Sequence, residues 1–231
     1  MSGTAAEPGQ RHAVLASLLE ERYSCRAFRP DPLPRETTET ILQMAQRTAS
    51  WCNSQAWHLS VASAPATERL RAAMLQYVQG REPAPDLAWP EYQGVYQERR
   101  RECGLQLYRA TGVARGDAAA AQRQRLENFR FFGAPHVALV TTDASLGVYG
   151  VLDCGAYVSN FMLAARSLGV AAIALAALAA YPQFWREQLK LAAQRQVVCG
   201  IAFGFEDAAH PANSFRTSRA ALDQAVTWID T

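Results

Sequence analysis

The sequence predicts an α+β fold, a central mixed or antiparallel sheet flanked by helices. Three observations carry that expectation. Helical patterns dominate, with about four strands among them. The strands follow no regular β-α-β period and the chain has no internal repeat, which argues against a doubly wound sheet. The third observation is the stretch Tyr149–Ala180, YGVLDCGAYVSNFMLAARSLGVAAIALAALAA, which is apolar almost all the way round as far as Leu168. Leu152, Ala156, Phe161, Met162, Leu163, Ala165 and Leu168 leave no wide polar face, whereas a solvated surface helix shows one. A helix from Val151 to Leu168 would span about 27 Å, the width of a small domain. It is expected to be buried on nearly every side, in a core or a subunit interface. Asp153 is expected near its start, with its carboxylate on free amides, and Gly169 where it stops. A membrane span needs about 20 mostly apolar residues. Arg166 interrupts this run, so no membrane is expected.

The other elements follow in order. His12–Glu21 carries Val14, Leu15, Leu18 and Leu19 at helical spacing. Arg22–Phe28 precedes Pro30, Pro32 and Pro34, which favour an extended path. Glu36–Thr48 is the next helix, with Ile41, Leu42 and Ala45 as its buried stripe. Ser50–Trp57 is a loop into the first strand, His58–Ala62. Thr67–Val78 is helical, and Gly80–Pro90 is a linker. Tyr92–Ala110 is a long helix with a basic patch at Arg99, Arg100 and Arg101. A turn over Gly112–Asp117 leads to the helix Ala118–Phe129. His136–Thr142 is the second strand. After the apolar helix come a short strand at Ala171–Leu175, a short helix from Tyr181 to Leu189, and a central strand at Val197–Phe205. The last residues carry an apolar tip, Val226–Ile229, too rich for a frayed end.

Composition bounds the function. The chain has 231 residues, 49% hydrophobic and 19% charged, enough for a sizeable core. A net charge of +2 offers no general nucleic-acid surface, so an anion would have to be held by a few placed arginines. Five scattered cysteines, Cys25, Cys52, Cys103, Cys154 and Cys199, form no Cys-x-x-Cys pair. With no signal-like opening, the expectation is a cytoplasmic protein. Residues 1–10 are expected to be a flexible tail. His12, His58, His136 and His210 do not fall at metal-ligand spacing, so no metal is expected. There is no glycine-rich nucleotide loop and no nucleophile elbow. Cys52 and Cys154 are expected to be buried, inert thiols.

Three constellations could carry chemistry. Arg22, Ser24 and Arg26 alternate, so an extended chain turns them to one side as a phosphate holder. The bland alternative is a solvated basic edge. Asn53 and Gln55 alternate between Trp51 and Trp57, and their amides can match the polar edge of a flat heterocycle. The alternative is a polar turn. Arg216 and Arg219, with Asn213 and Ser218, are a surface patch alone, but with the first cluster they could enclose a phosphate from two directions.

These pieces together resemble the nitroreductase family of flavoproteins. Arg22-Tyr23-Ser24-Cys25-Arg26-Ala27-Phe28 is similar to its opening motif, and Ser50–His58 to its second, with Ala49 and Ala56 where the family often has proline. Phe132–Pro135, Asp153–Gly169, Val198–Gly204 and Asn213–Arg219 match later segments in the right order. The resemblance implies an intertwined homodimer with one FMN per subunit at the interface, and one domain over 11–231. Within it, 80–117 would shape the pocket and 206–231 would form an arm reaching the partner subunit. It implies that Arg22, Arg26 and Arg219 hold the FMN phosphate, with Arg216 a further candidate, and that Ser24, beside Tyr23, contacts the flavin pyrimidine edge or ribityl chain. Asn53 and Gln55 would meet the ring. The backbone of Ala176, Ala177 and Leu178 would approach it near N5. Trp89, Tyr92 and Tyr96 are candidate pocket lining. The implied activity is hydride transfer from NADH or NADPH through the flavin to a small aromatic or quinone-like acceptor such as a nitroaromatic, by ping-pong kinetics. A flavin dehydrogenase or reductive dehalogenase, and a cofactor-free binding or scaffold dimer, stand as alternative readings.

Overall fold

The computed structural model describes residues 8–229. Residues 1–7 of the expected tail lie outside that range, while Pro8–Gln10 belong to the first helix. In chain order the elements are α1 (Pro8–Glu21), α2 (Arg35–Ala45), β1 (His58–Ser63), α3 (Ala66–Tyr77), α4 (Gly94–Ala110), α5 (Ala118–Leu126), β2 (His136–Asp143), α6 (Gly147–Ser167), β3 (Ala171–Leu175), α7 (Pro182–Leu189) and β4 (Arg195–Gly204). The four strands form one sheet in the order β1-β2-β4-β3, and each neighbouring pair is antiparallel. A parallel bridge between Ser24 and Ala172 extends the sheet beyond β3 and makes it mixed.

The sheet is covered on both faces, which is why β2 reads as a continuous apolar run instead of alternating with polar residues. Val137 and Leu139 face a core with Phe131, Ile173, Leu178, Phe184 and Trp185. Ala138 and Val140 face the opposite core, with Ile41, Tyr157, Phe161, Ile201 and Phe203. Local signals fix the ends of several helices. The Asp117 side chain accepts from Ala120 N at the start of α5, Pro182 opens α7 and Lys190 closes it in the left-handed region. Gly169, at φ +70, stands where α6 stops.

One expectation about α6 needs correction. It begins at Gly147, a turn earlier than expected, so Asp153 lies in its second turn and does not cap it. Within one chain the helix is buried on one face. Gly150, Cys154, Tyr157, Val158, Phe161 and Ala165 are buried, while Val148 and Leu152 are 74% and 66% exposed. By length and composition α6 could cross a membrane; its buried face instead packs on the sheet and α2. The apolar stripe of α1 is likewise uncovered, with Val14, Leu15 and Leu19 exposed.

Candidate functional site

After α1 the chain runs extended along the sheet edge. Cys25 N–H donates to Ala172 O at 3.3 Å, and Arg29 N–H to Phe205 O at 2.9 Å. Extended backbone turns alternate residues to opposite sides. Cys25 and Ala27 enter the core, and Arg22, Ser24 and Arg26 line a cavity of about 400 Å³. The facing wall is Phe215, Arg216, Thr217 and Arg219, and α1 and α4 add Glu20 and Cys103. The two basic clusters, almost two hundred residues apart in sequence, therefore meet at one cavity.

The two walls are joined by one buried side chain. Asn213 Oδ1 accepts from Arg26 N–H at 2.7 Å. Its Nδ2 donates to Ala27 O at 2.9 Å and to Asp207 O at 2.8 Å. Asn213 thus fastens the closing segment to the opening one. Tyr23 is also a support: its hydroxyl donates to Glu206 at 2.6 Å, and the Arg216 guanidinium lies 3.5 Å over its ring.

Among the described residues none of the four arginines is paired with a carboxylate. Three of the guanidiniums donate instead to backbone carbonyls: Arg26 to Ser24 O, Arg216 to Asn213 O and Phe215 O, and Arg219 to Thr217 O and Ser218 O. Burial pulls Arg26 below its ordinary pKa. Arg22 is pulled down by burial and by the charge of Arg219. Partly desolvated positive charges that repel one another favour an anion between them. A phosphate group with several acceptor oxygens fits this donor set.

Asn53 and Gln55 do not border this cavity. They line a broad cleft of about 870 Å³ with Gln46, Trp57, His58 and Tyr157. Their loop is held in an unusual shape, with Cys52, Asn53 and Gln55 at φ +51, +55 and +50. Such backbone persists only where its surroundings fix it. Here Asp153 does so. Trp51 N–H donates to both of its oxygens at 3.3 Å, and Ser54 Oγ donates at 3.2 Å. Ser50 Oγ also accepts from Gln55 N–H at 2.9 Å. Sequence reasoning assigned Asp153 to its own helix. The signal for this other role was a carboxylate set among apolar residues, where it must find donors. Cys52, expected to be buried, is exposed; Cys154 is buried, and burial pushes its thiol up to about 11.

Ala176, Ala177 and Leu178 form a short 3-10 turn after β3 and border neither cavity. Leu178 is fully buried, its carbonyl accepting from Trp185 Nε1 at 2.8 Å. Trp89, Tyr92 and Tyr96 are exposed. One chain therefore holds a basic cavity, an amide-lined cleft and a turn as separate features.

A family model described as "Nitroreductase family" matches residues 19–205. The chain is 35% identical over 209 residues to nitroreductase NfnB of Mycolicibacterium smegmatis, covering 90% of this chain and 89% of that protein. It is 33% identical over 246 residues to a 4-nitrobenzoate reductase of a Nocardioides species, covering 99% of this chain and 98% of that protein. The crystal structure of the FMN-dependent nitroreductase NfnB from Mycobacterium smegmatis in complex with NADPH superposes with a TM-score of 0.91 at 33% identity, covering 95% of this chain and 99% of that one.

Proposed function

The chain belongs to the nitroreductase family, and from that membership we propose that its basic cavity and its amide-lined cleft are two parts of one FMN site. It is an FMN-dependent NAD(P)H oxidoreductase acting on nitroaromatic or quinone-like acceptors. The four-arginine cavity, in which no charge has a carboxylate partner among the described residues, carries the assignment of the phosphate end. Arg22, Arg26 and Arg219 bind the phosphate, Arg216 adds charge from its perch on Tyr23, and Ser24 offers a hydroxyl beside them. Asn53 and Gln55 supply amide donors and acceptors to the ring. The backbone of Ala176, Ala177 and Leu178 would approach the ring near N5. When bound, FMN supplies a site that takes hydride from NAD(P)H and passes it to an acceptor entering the same pocket, in a ping-pong cycle.

A homodimer completes the site. Asn53 and Gln55 stand apart from the arginines within one chain, so a second copy is needed to bring an amide cleft against each basic cavity. The uncovered faces support this reading. Val148 and Leu152 on α6, the exposed Trp51–Tyr149 pair with ring centroids 4.3 Å apart, and the stripe on α1 are all apolar and exposed. Trp228 and Ile229, 74% and 86% exposed, end an arm (206–231) that reaches the partner. The segment 80–117 covers the acceptor pocket of a single domain over 11–231.

The test is the absorbance spectrum of the purified protein, followed by NADPH or NADH without oxygen. A flavin band that bleaches is the expected result. A band that persists would mean that the organic substrate itself reduces the flavin, and no band after incubation with FMN would overturn the assignment.

A further inference from the structure

The amide-lined cleft has a built-in direction. Trp57 Nε1 donates to Gln46 Oε1 at 3.0 Å. An indole nitrogen can only donate, so it fixes which end of the Gln46 amide faces it. Gln46 Nε2 is then turned away and donates to Gln55 Oε1 at 3.0 Å. That bond takes up the Gln55 carbonyl and sends its Nε2 onward, 3.4 Å from Asn53 Oδ1 and 3.5 Å from Asn53 O. Each amide thus inherits its orientation from the one before it. The Asn53 carbonyl receives, and its NH2 is the group left free. The first link is rigid, because Trp57 is buried with its ring centroid 5.0 Å from that of Tyr157. The last is held by the left-handed backbone of Cys52, Asn53 and Gln55.

We infer that Gln46, keyed by Trp57, is a positioning residue that makes Asn53 present its NH2 group, not its carbonyl, to the bound flavin. This rests on the reading of Asn53 as a cofactor contact. The polar edge of the isoalloxazine gains electron density on reduction, so a fixed donor there binds the reduced cofactor more tightly than the oxidised one. A carbonyl would do the reverse. Hydrogen bonds to a charged acceptor are about twice as strong as neutral ones.

The test measures binding of oxidised FMN and of dithionite-reduced FMN to the apoprotein, in the wild type and three neutral variants. Gln46→Met and Trp57→Phe break the chain at different links, and Gln46 is exposed at the C-terminal end of α2, so its replacement leaves the core intact. Asn53→Gly removes the final amide while suiting the positive φ. In each variant reduced FMN is expected to lose about tenfold in affinity relative to oxidised FMN, which is about 30 mV of two-electron potential. Gln46→Met added to Asn53→Gly should cause no further change in that ratio. In addition, the Trp57 indole proton should exchange slowly in the wild type and faster in Gln46→Met. Equal losses for both FMN forms in Gln46→Met and Trp57→Phe would reduce Gln46 to a structural role and overturn the inference. If Asn53→Gly shifts the ratio and the other two do not, only the orienting device is wrong. If Asn53→Gly changes neither affinity, the cofactor-contact reading fails and the inference falls with it.

Discussion

Replacing Asn213 with alanine should loosen both the fold and the basic cavity. Asn213 is 4% exposed and its side chain makes three hydrogen bonds, two to the opening segment and one within the closing segment. Their loss is uneven. Ala27 O keeps a second donor in Asp207 N–H at 3.0 Å, and Asp207 O keeps His210 N–H at 3.2 Å. Among the described residues Arg26 N–H has no other partner. Each of the two bonds to a carbonyl contributes about 1 kcal/mol, and a stranded part-buried donor costs about 1–3 kcal/mol. The sum is about 4 kcal/mol, or a fall in Tm of about 8–16 °C for a chain of this length. Arg216, which donates to Asn213 O at 2.8 Å, and Arg219 then lose their fixed placement. If one charge-assisted contact to phosphate is lost, FMN affinity should fall about 10–100-fold. Calorimetry and flavin fluorescence titration read the two effects. Asn213→Asp offers a control, since its carboxylate can still accept from Arg26 N–H but meets two carbonyls, and it should destabilise the chain at least as much. A Tm and an FMN affinity both unchanged in Asn213→Ala would refute the staple.

Further predictions concern other parts of the molecule. Arg22→Ala combined with Arg26→Ala should weaken FMN binding by about a hundredfold or more, since each charged contact contributes about 1.5–3 kcal/mol; unchanged affinity would remove the phosphate assignment. His136 Nε2 accepts from Leu33 N–H at 2.8 Å, and burial lowers its pKa. With the folded value below the ordinary one, its contribution to stability is complete above about pH 6.5. It is lost as pH falls toward and through the folded value, and denaturant titrations of His136→Gln should show a smaller loss over that window than the wild type. At Gly200 an added Cβ would overlap Leu178 Cδ1 in the core, so Gly200→Ala should cost about 1–3 kcal/mol in urea unfolding. Leu152→Glu places a charge on the exposed apolar face of α6 and should give a monomer by light scattering at micromolar concentration, with FMN binding impaired.

Much of the site could be read in the linear pattern. Arg22, Ser24 and Arg26 alternate, and extended backbone has a period of two, so their common side followed once the prolines excluded a helix. The polar amides at Asn53 and Gln55 and the basic pair at Arg216 and Arg219 declared themselves by residue type. The strands at His58, His136, Ala171 and Arg195 were legible because each is a short apolar or β-prone run. The ends of α6 were less so, because Gly147-Val148-Tyr149-Gly150 has no strong helix-start signal; the helix there owes its stability to packing, and propensity does not mark its first turn.

The sequence by itself determined the α+β class, the order of the motifs, and which residue types have the chemistry to meet an anion or a ring. Those depend on local periodicity and side-chain chemistry, which neighbours in sequence supply. Only the tertiary structure decided what holds the motifs in place. Asn213 became a staple and Asp153 a loop anchor, and the Trp57–Gln46–Gln55–Asn53 series acquired a direction. Each depends on partners far apart in sequence or on a donor meeting an acceptor at hydrogen-bond distance, and no local pattern encodes such a meeting.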